Sequence, residues 1–187
     1  MRPNKLSRSE IISHCAKQFK QHGYAGTSMQ MLAQSCGLTK GAFYYYYSNK
    51  EQLLMDILQE IHQQLIGYLN PIANDQSLSV AERFTTMHSK AVQYFSIGEI
   101  GCLMAIMSIE SLHTLPEAKP LIRDFFQDWE NAMYPLFAEK YDEAEARRLA
   151  KQSVADYEGA ILMYRFTEDA FYIEQVERRI KNEIGVN

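Results

Sequence analysis

The chain has 187 residues, 47% of them hydrophobic, and a formal net charge of −4. That length holds one large domain or a small domain on a larger one, and its apolar content is ample for a packed core, which excludes a disordered or fibrous chain. Three cysteines at unrelated spacings (Cys15, Cys36, Cys102) exclude a disulfide framework and a metal site, and the N-terminus lacks the apolar h-region of a signal peptide.

Gly (9) and Pro (5) are few and no stretch alternates cleanly at period two, so helices are predicted nearly throughout. The class is all-α, about nine helices. The longest apolar stretch, roughly residues 100–109, is far shorter than the roughly 20 residues of a membrane span. No membrane partner, cofactor or metal is expected, and the compartment is a reducing cytoplasm.

Ser7 and Glu10 have capping-box spacing and open a predicted helix from Arg8 to His22, with Ile11, Ile12, Cys15 and Phe19 on its inner side. Gly23-Tyr24 ends it. Thr27, with Gln30 three residues on, predicts a cap for a short helix that buries Met29, Leu32, Ala33 and Cys36. Gly37 supplies a left-handed stop. Thr39 caps a second short helix, Lys40 to about Tyr47, aromatic and free of acids. Two short helices about a tight turn, with a groove-suited second helix, form a helix-turn-helix.

Charge is divided unevenly. Residues 1–50 hold seven basic side chains (Arg2, Lys5, Arg8, Lys17, Lys20, Lys40, Lys50) against one acid, Glu10, while the remainder is strongly acidic. A basic head on an acidic body directs one end towards polyanions.

Ser48 to Glu51 start a long fourth helix, ending near Leu69 before Asn70-Pro71. Ser79 and Glu82 form another capping box for a helix to about Ile97, residues 97–101 form a turn, and Cys102 to His113 form a short apolar helix. A helix from Glu117 to Lys140 follows, with a break at Pro120 and a kink at Pro135. Asp142 to Arg165 form one more, and Thr167 caps the last, to about Ile184. The expected division is a DNA-binding domain over 1–48 and a regulatory domain over 49–187.

The head resembles the DNA-binding domain of the TetR family of bacterial transcriptional repressors. The matching residues are Ile11, Phe19, Gly23-Tyr24, Thr27-Ser28, Leu32-Ala33, Gly37-Leu38-Thr39-Lys40-Gly41, Phe43-Tyr44, Tyr47, Lys50-Glu51 and Leu53-Leu54. Beyond the head the resemblance is one of length and helical character. Family members often carry a basic or histidine residue where Tyr45 and Tyr46 stand here, and usually Phe in place of Tyr47. Gly101-Cys102-Leu103 is similar to a Gly-Cys-Leu subgroup, some of whose members sense electrophiles or oxidants.

In such a head the second helix enters the major groove with its first residues at base edges. Thr39, Lys40, Gly41 and Ala42 take that place, with Tyr44 and Tyr46 on the next turn. Lys40 can bond guanine and Ala42 can touch a thymine methyl. Thr27, Ser28 and Lys50 are expected to hold phosphates. One head has too small a footprint for selective binding to double-stranded operator DNA, so a homodimer is expected, through Leu149, Gly159, Met163, Phe171 and Val176 on the last two helices.

The resemblance also implies an effector pocket in the body. Met87, Tyr94, Cys102, Met107, Phe125, Trp129, Met133 and Tyr157 are its candidates, suited to an apolar or aromatic small molecule, with His88, Glu110, His113 and Glu158 as polar groups. Core packing explains the same stripe. The function so implied is a ligand-released repressor. Alternatives are a repressor that senses electrophiles through Cys102 at a helix start, an architectural DNA binder without a ligand, and a helical carrier or enzyme without DNA binding. Against an enzyme, the sequence has no H-E-x-x-H, nucleophile elbow or phosphate loop.

Overall fold

The structure, a computed structural model, describes residues 6–96 and 101–186, without the side chains of residues 111–113. Residues 97–100 of the predicted turn (97–101) and the side chain of His113 lie outside the described residues. Nine α-helices and no strand occur among the described residues. They divide into two compact units, residues 1–61 with 103–122, and residues 62–102 with 123–187. The boundary expected at residue 48 falls inside the first unit, which also takes a helix from the middle of the chain.

The first unit starts with α1 (Arg8–Gly26), opened by the Ser7/Glu10 capping box: the Glu10 carboxylate accepts from the Ser7 amide at 2.7 Å and the Ser7 hydroxyl accepts from the Glu10 amide. α1 outruns its predicted end because helix resumes briefly after Gly23, whose φ of 69° breaks the regular path. α2 (Met29–Ser35) is capped by Ser28, not Thr27. Thr27 faces inward, 2% exposed, and its hydroxyl donates to the Gly23 carbonyl at 2.6 Å. Gly37, at φ 66°, ends α2, and the Leu38 amide returns to the Ala33 carbonyl at 2.9 Å, a left-handed stop that a β-carbon would strain.

α3 (Lys40–Phe43) is shorter than predicted. After Phe43 the backbone tightens, with the Tyr46 amide bonding Phe43, three residues back. α4 (Lys50–Ala73) begins in the first unit and ends in the second. It passes through Pro71, where the sequence predicts a stop. A proline in the last turn forfeits a single ladder bond, and burial of Leu69 and Ala73 with an Arg83 guanidinium on the Ala73 carbonyl (2.9 Å) holds that turn in place. α6 (Leu103–Thr114) packs on α1 inside this unit. Ile11, Cys15, Phe19, Leu32, Phe43, Leu53, Leu54 and Ile57 are fully buried, so the apolar faces read from helical spacing do form the core.

In the second unit, α5 (Val80–Ser96) opens on the predicted Ser79/Glu82 capping box. α7 (Ala118–Ala138) starts in the first unit and runs on in the second; it carries Pro120 in its first turn, where no amide partner is lost, so no break occurs there. α8 (Glu143–Thr167) is capped by Asp142. Thr167 ends α8 instead of capping α9 (Phe171–Ile184); Asp169, whose carboxylate accepts from the Phe171 amide at 2.9 Å, supplies the missing acceptor. α9 packs on α8 and α5. No helix among the described residues is long and apolar enough to cross a membrane.

Candidate nucleic-acid interface and effector site

The outward face of the head is built by α3 and the turn after it. Phe43 and Tyr47 are buried and anchor the segment, and the Tyr47 hydroxyl donates to Asp56 on α4 at 2.9 Å. Burial, first, and that hydrogen bond push the Tyr47 phenol up to about 12, so it stays a donor. With these two inside, Thr39, Lys40, Gly41, Tyr44 and Tyr45 are exposed, and Ala42 and Tyr46 are half-buried. Thr39 caps α3 by accepting from the Ala42 amide at 3.2 Å, which fixes the direction in which Lys40 and Gly41 leave the surface. Ser28, exposed, caps α2 beside them. Tyr45 is 93% exposed, yet sequence reasoning passed over it because a run of four tyrosines gives no phase once the helix tightens.

Two residues expected at phosphates are placed otherwise. Thr27 is buried and bonded to Gly23, so its side chain cannot reach a phosphate. Lys50 is turned inward: its ammonium donates to the Tyr24 and Thr27 carbonyls at 2.6 and 2.7 Å and lies 4.0 Å from the centre of the Tyr24 ring. Desolvation lowers its pKa, against the opposing charges of Glu110 and Glu51. The carbonyls at the end of α1 hold the lysine against solvent, since a helix end leaves acceptor capacity that the backbone does not fill.

Glu110, expected in an effector pocket, instead grips the same segment. Its carboxylate accepts from the Tyr24 and Ala25 amides at 2.7 and 3.1 Å. A β-carbon at residue 23 would lie 2.0 Å from the Glu110 carboxylate, so Gly23 is needed twice, for its φ and for this approach. Between them Lys50 and Glu110 satisfy the donors and acceptors of the α1–α2 connection.

The basic excess of the head is partly spent internally. Arg8 pairs with Asp56 and Glu60 of α4 at 3.3 and 2.7 Å, and Lys20 is 8% exposed. Arg2 and Lys5 lie outside the described residues; Lys17 and Lys40 are exposed. The positive field on the outward face is therefore narrower than the count of residues suggests.

In the second unit the predicted aromatic residues meet in one buried cluster. Trp129 lies between Phe95 and Tyr157, with ring centroids at 5.3 and 5.6 Å, and Phe125 meets it edge-on at 6.1 Å. His88 extends the cluster, its Nδ1 2.7 Å from the Tyr157 hydroxyl, and burial lowers its pKa against the charge of Glu177. Met87 and Met133 are buried and Tyr94 stands edge-on to Phe95. Met107 belongs to α6 in the first unit and is fully buried. Beside the cluster, Val92, Phe95, Tyr157, Ile161, Tyr164 and Ile173 line a small apolar cavity of about 10 Å³, room for one water. The rings fill one another's space.

Cys102 is buried and hydrogen-bonded to Glu158. Buried and bonded in this way, its sulfur is shielded from reagents, against the reactivity expected from its place at a helix start. Glu158 itself is pushed up to about 7 by burial, and its Oε1 has no hydrogen-bond partner.

Two of the dimerisation candidates, Leu149 and Val176, face the core of their own unit and cannot meet a second copy. The C-terminal half of α8 presents Gly159, Leu162, Met163 and Phe166 to the exterior, with Phe171 at the start of α9. Phe166 is 78% exposed. Leu162 and Phe166 escaped the sequence reading although their spacing from Ala155 and Gly159 marks one helical face.

Residues 11–57 match the family model of bacterial regulatory proteins of the tetR family, and residues 81–179 match that of the LmrA/YxaF-like transcriptional regulator C-terminal domain. The chain is 21% identical to the HTH-type transcriptional repressor DhaR of Mycobacterium sp. (strain GP1), over 90% of this chain and 87% of that protein. It is 48% identical over 48 residues to the HTH-type transcriptional regulator YuxN of Bacillus subtilis, covering 26% of this chain and 16% of that one. Among solved structures, a TetR transcriptional regulator from Legionella pneumophila superimposes with a TM-score of 0.84 at 21% identity, covering 96% of this chain and 98% of that chain.

Proposed function

The chain belongs to the TetR family of bacterial transcriptional regulators, and from that premise we propose that it is a repressor, binding operator DNA as a homodimer in the cytoplasm and released by an apolar or aromatic small molecule. The observation that carries the DNA half is the outward face itself: Thr39, Lys40, Gly41 and Tyr44 stand exposed on a segment whose anchors, Phe43 and Tyr47, are locked into the head. Rigidly held, exposed donors on the second helix of a helix-turn-helix are what base and phosphate recognition requires. Lys40 takes a guanine edge, Ala42 a thymine methyl, and Ser28, Tyr44, Tyr45 and Tyr46 donate to phosphates or base edges. Lys50 and Thr27 act as positioning residues.

Dimerisation is assigned to the exposed face from Gly159 to Phe166 together with Phe171. Large apolar side chains in a contiguous exposed stripe are costly in water and stabilise a bundle with a second copy. The effector is assigned to the cluster around Trp129, which must part its rings to admit a ligand. His62 of α4 stands edge-on to Phe125 at 5.8 Å and bonds Asp128 at 2.9 Å, so separating these rings displaces α4, and α4 begins at Lys50 in the head. A thousandfold loss of operator affinity needs about 4 kcal/mol of differential ligand binding, within reach of a well-fitted small molecule.

Gel-shift titration on the DNA flanking its own gene, repeated over a salt series, tests the reading. A steep salt slope with strong preference over random duplex is expected. A monomer indifferent to duplex at low ionic strength would sink it.

A further inference from the structure

Cys15 and Cys36 are separated by 21 residues, and the fold brings their sulfurs to 3.8 Å inside the head. Neither is in a disulfide. Cys15 sits on the buried side of α1 with no exposure, whereas Cys36 caps the end of α2 and keeps 8% of its surface open. The two differ in readiness to ionise. Cys36 lies below the ordinary thiol range, chiefly through its hydrogen bond with Cys15, while the same contact and deeper burial push Cys15 up.

We propose that Cys15 and Cys36 form an oxidisable dithiol that closes to a disulfide between α1 and α2 and thereby weakens the head's hold on DNA. The oxidant class is a peroxide. The Cys36 thiolate attacks a peroxide oxygen, the O–O bond breaks, and Cys36 becomes a sulfenic acid while the leaving hydroxide takes up the proton the Cys36 thiol had released and departs as the first water. The Cys15 sulfur then displaces the hydroxyl from the Cys36 sulfur, releasing its own proton to form a second water. Two thiols and one hydrogen peroxide give one disulfide and two waters; the sulfur pair loses two electrons and the peroxide gains them. An ionising outer thiol backed by a resolving thiol is the arrangement this sequence of steps requires. Reducing cytosol keeps the pair open until an oxidant arrives.

The consequence for DNA is geometric. A disulfide needs its sulfurs about 2 Å apart, so closure from 3.8 Å draws the end of α2 towards α1. Cys36 is followed at once by the Gly37 turn that places α3. The recognition face must then shift with it. The dithiol stands on its own geometry, and only its effect on DNA rests on the repressor reading.

The reduced protein is treated with graded hydrogen peroxide and followed by intact mass, peptide mapping and gel shift on the DNA flanking its own gene. Expected are a loss of about 2 Da, a linked peptide pair containing Cys15 and Cys36, and at least tenfold weaker DNA binding, all reversed by dithiothreitol. Cys36→Ser should abolish the linkage and the peroxide response, while Cys102→Ala should preserve both. If Cys36→Ser does not fold, the peptide map of the unaltered protein decides. Peroxide doses that oxidise Cys102 while Cys15 and Cys36 stay reduced would overturn the proposal. Linkage with unchanged DNA affinity would overturn its regulatory half. Reduced protein that binds no duplex would refute the repressor reading instead, leaving the dithiol to be judged by mass alone.

Discussion

The exposed segment of the head and the aromatic cluster of the second unit are both rich in tyrosine, and the same side chain serves opposite ends in them. Tyr44 and Tyr45 project from the surface with their hydroxyls available, whereas Tyr157 is 2% exposed and its hydroxyl is committed to His88 at 2.7 Å. Burial pushes the Tyr157 phenol well above its ordinary range. A ring with every side packed contributes to stability; a ring left in water is free to meet another molecule. The two regions should therefore answer to different measurements.

The strongest way to break that contrast is Trp129→Ala. It removes the fully buried centre of the cluster and should cost about 3–5 kcal/mol of folding stability, read as a lower urea midpoint with an unchanged slope. If the variant melts like the parent, the cluster is already loose and the packing described above is wrong. Next comes the pH dependence of Glu158. Its folded pKa of about 7 lies above the ordinary 4.5, so the folded state holds the proton more tightly. The penalty for ionising it is absent below about pH 4.5, grows as pH rises, and is complete above about pH 7. Glu158→Gln should flatten stability across that window and gain up to about 3 kcal/mol at pH 8 in a denaturant titration.

Lys50→Met lies between the two regions in character, because it leaves the Tyr24 and Thr27 carbonyls without their shared donor. A loss of about 1–3 kcal/mol is expected in thermal unfolding, with weaker operator binding as a secondary effect. Phosphate contact as its main role would give the reverse, weaker binding with intact stability. Lys40→Ala should leave the melting curve in place and cost about 1–3 kcal/mol of operator affinity, at particular base positions if it reads guanine and uniformly if it holds a phosphate. The smallest effect is Tyr45→Ala, expected within about 0.5 kcal/mol in stability because the ring is exposed; gel shift with the native operator reads any remaining contribution to binding.

Much of the head was legible in the sequence for one reason: its signals are local. Ser7 with Glu10, Gly37, and Thr39 before Lys40 act over one turn of chain, and each sits where spacing predicts. Thr27 and Ser28 show the limit. Both are competent caps, and the competition is decided by Gly23, whose carbonyl takes the Thr27 hydroxyl and leaves the cap to Ser28. Pro71 is a second case, since a stop signal yields where buried neighbours hold the turn. The rings around Trp129 were legible as an apolar group but not as an arrangement, because helical spacing marks an inner face without saying which inner faces meet. The same limit applies to two residues expected at a dimer face: Leu149 and Val176 have the composition of an interface and the position of a core.

What the sequence determined by itself is the helix order, the capped turns of the head and the exposure of Lys40 and its neighbours, all set by hydrogen bonds and steric preferences that span a few residues. Tertiary structure alone decided that Lys50 turns inward, that Glu110 clasps amides 85 and 86 residues away, and that Cys15 meets Cys36. Such contacts depend on which helices become neighbours, and that is chosen by burying apolar surface over the whole chain, a sum to which no single motif holds the key.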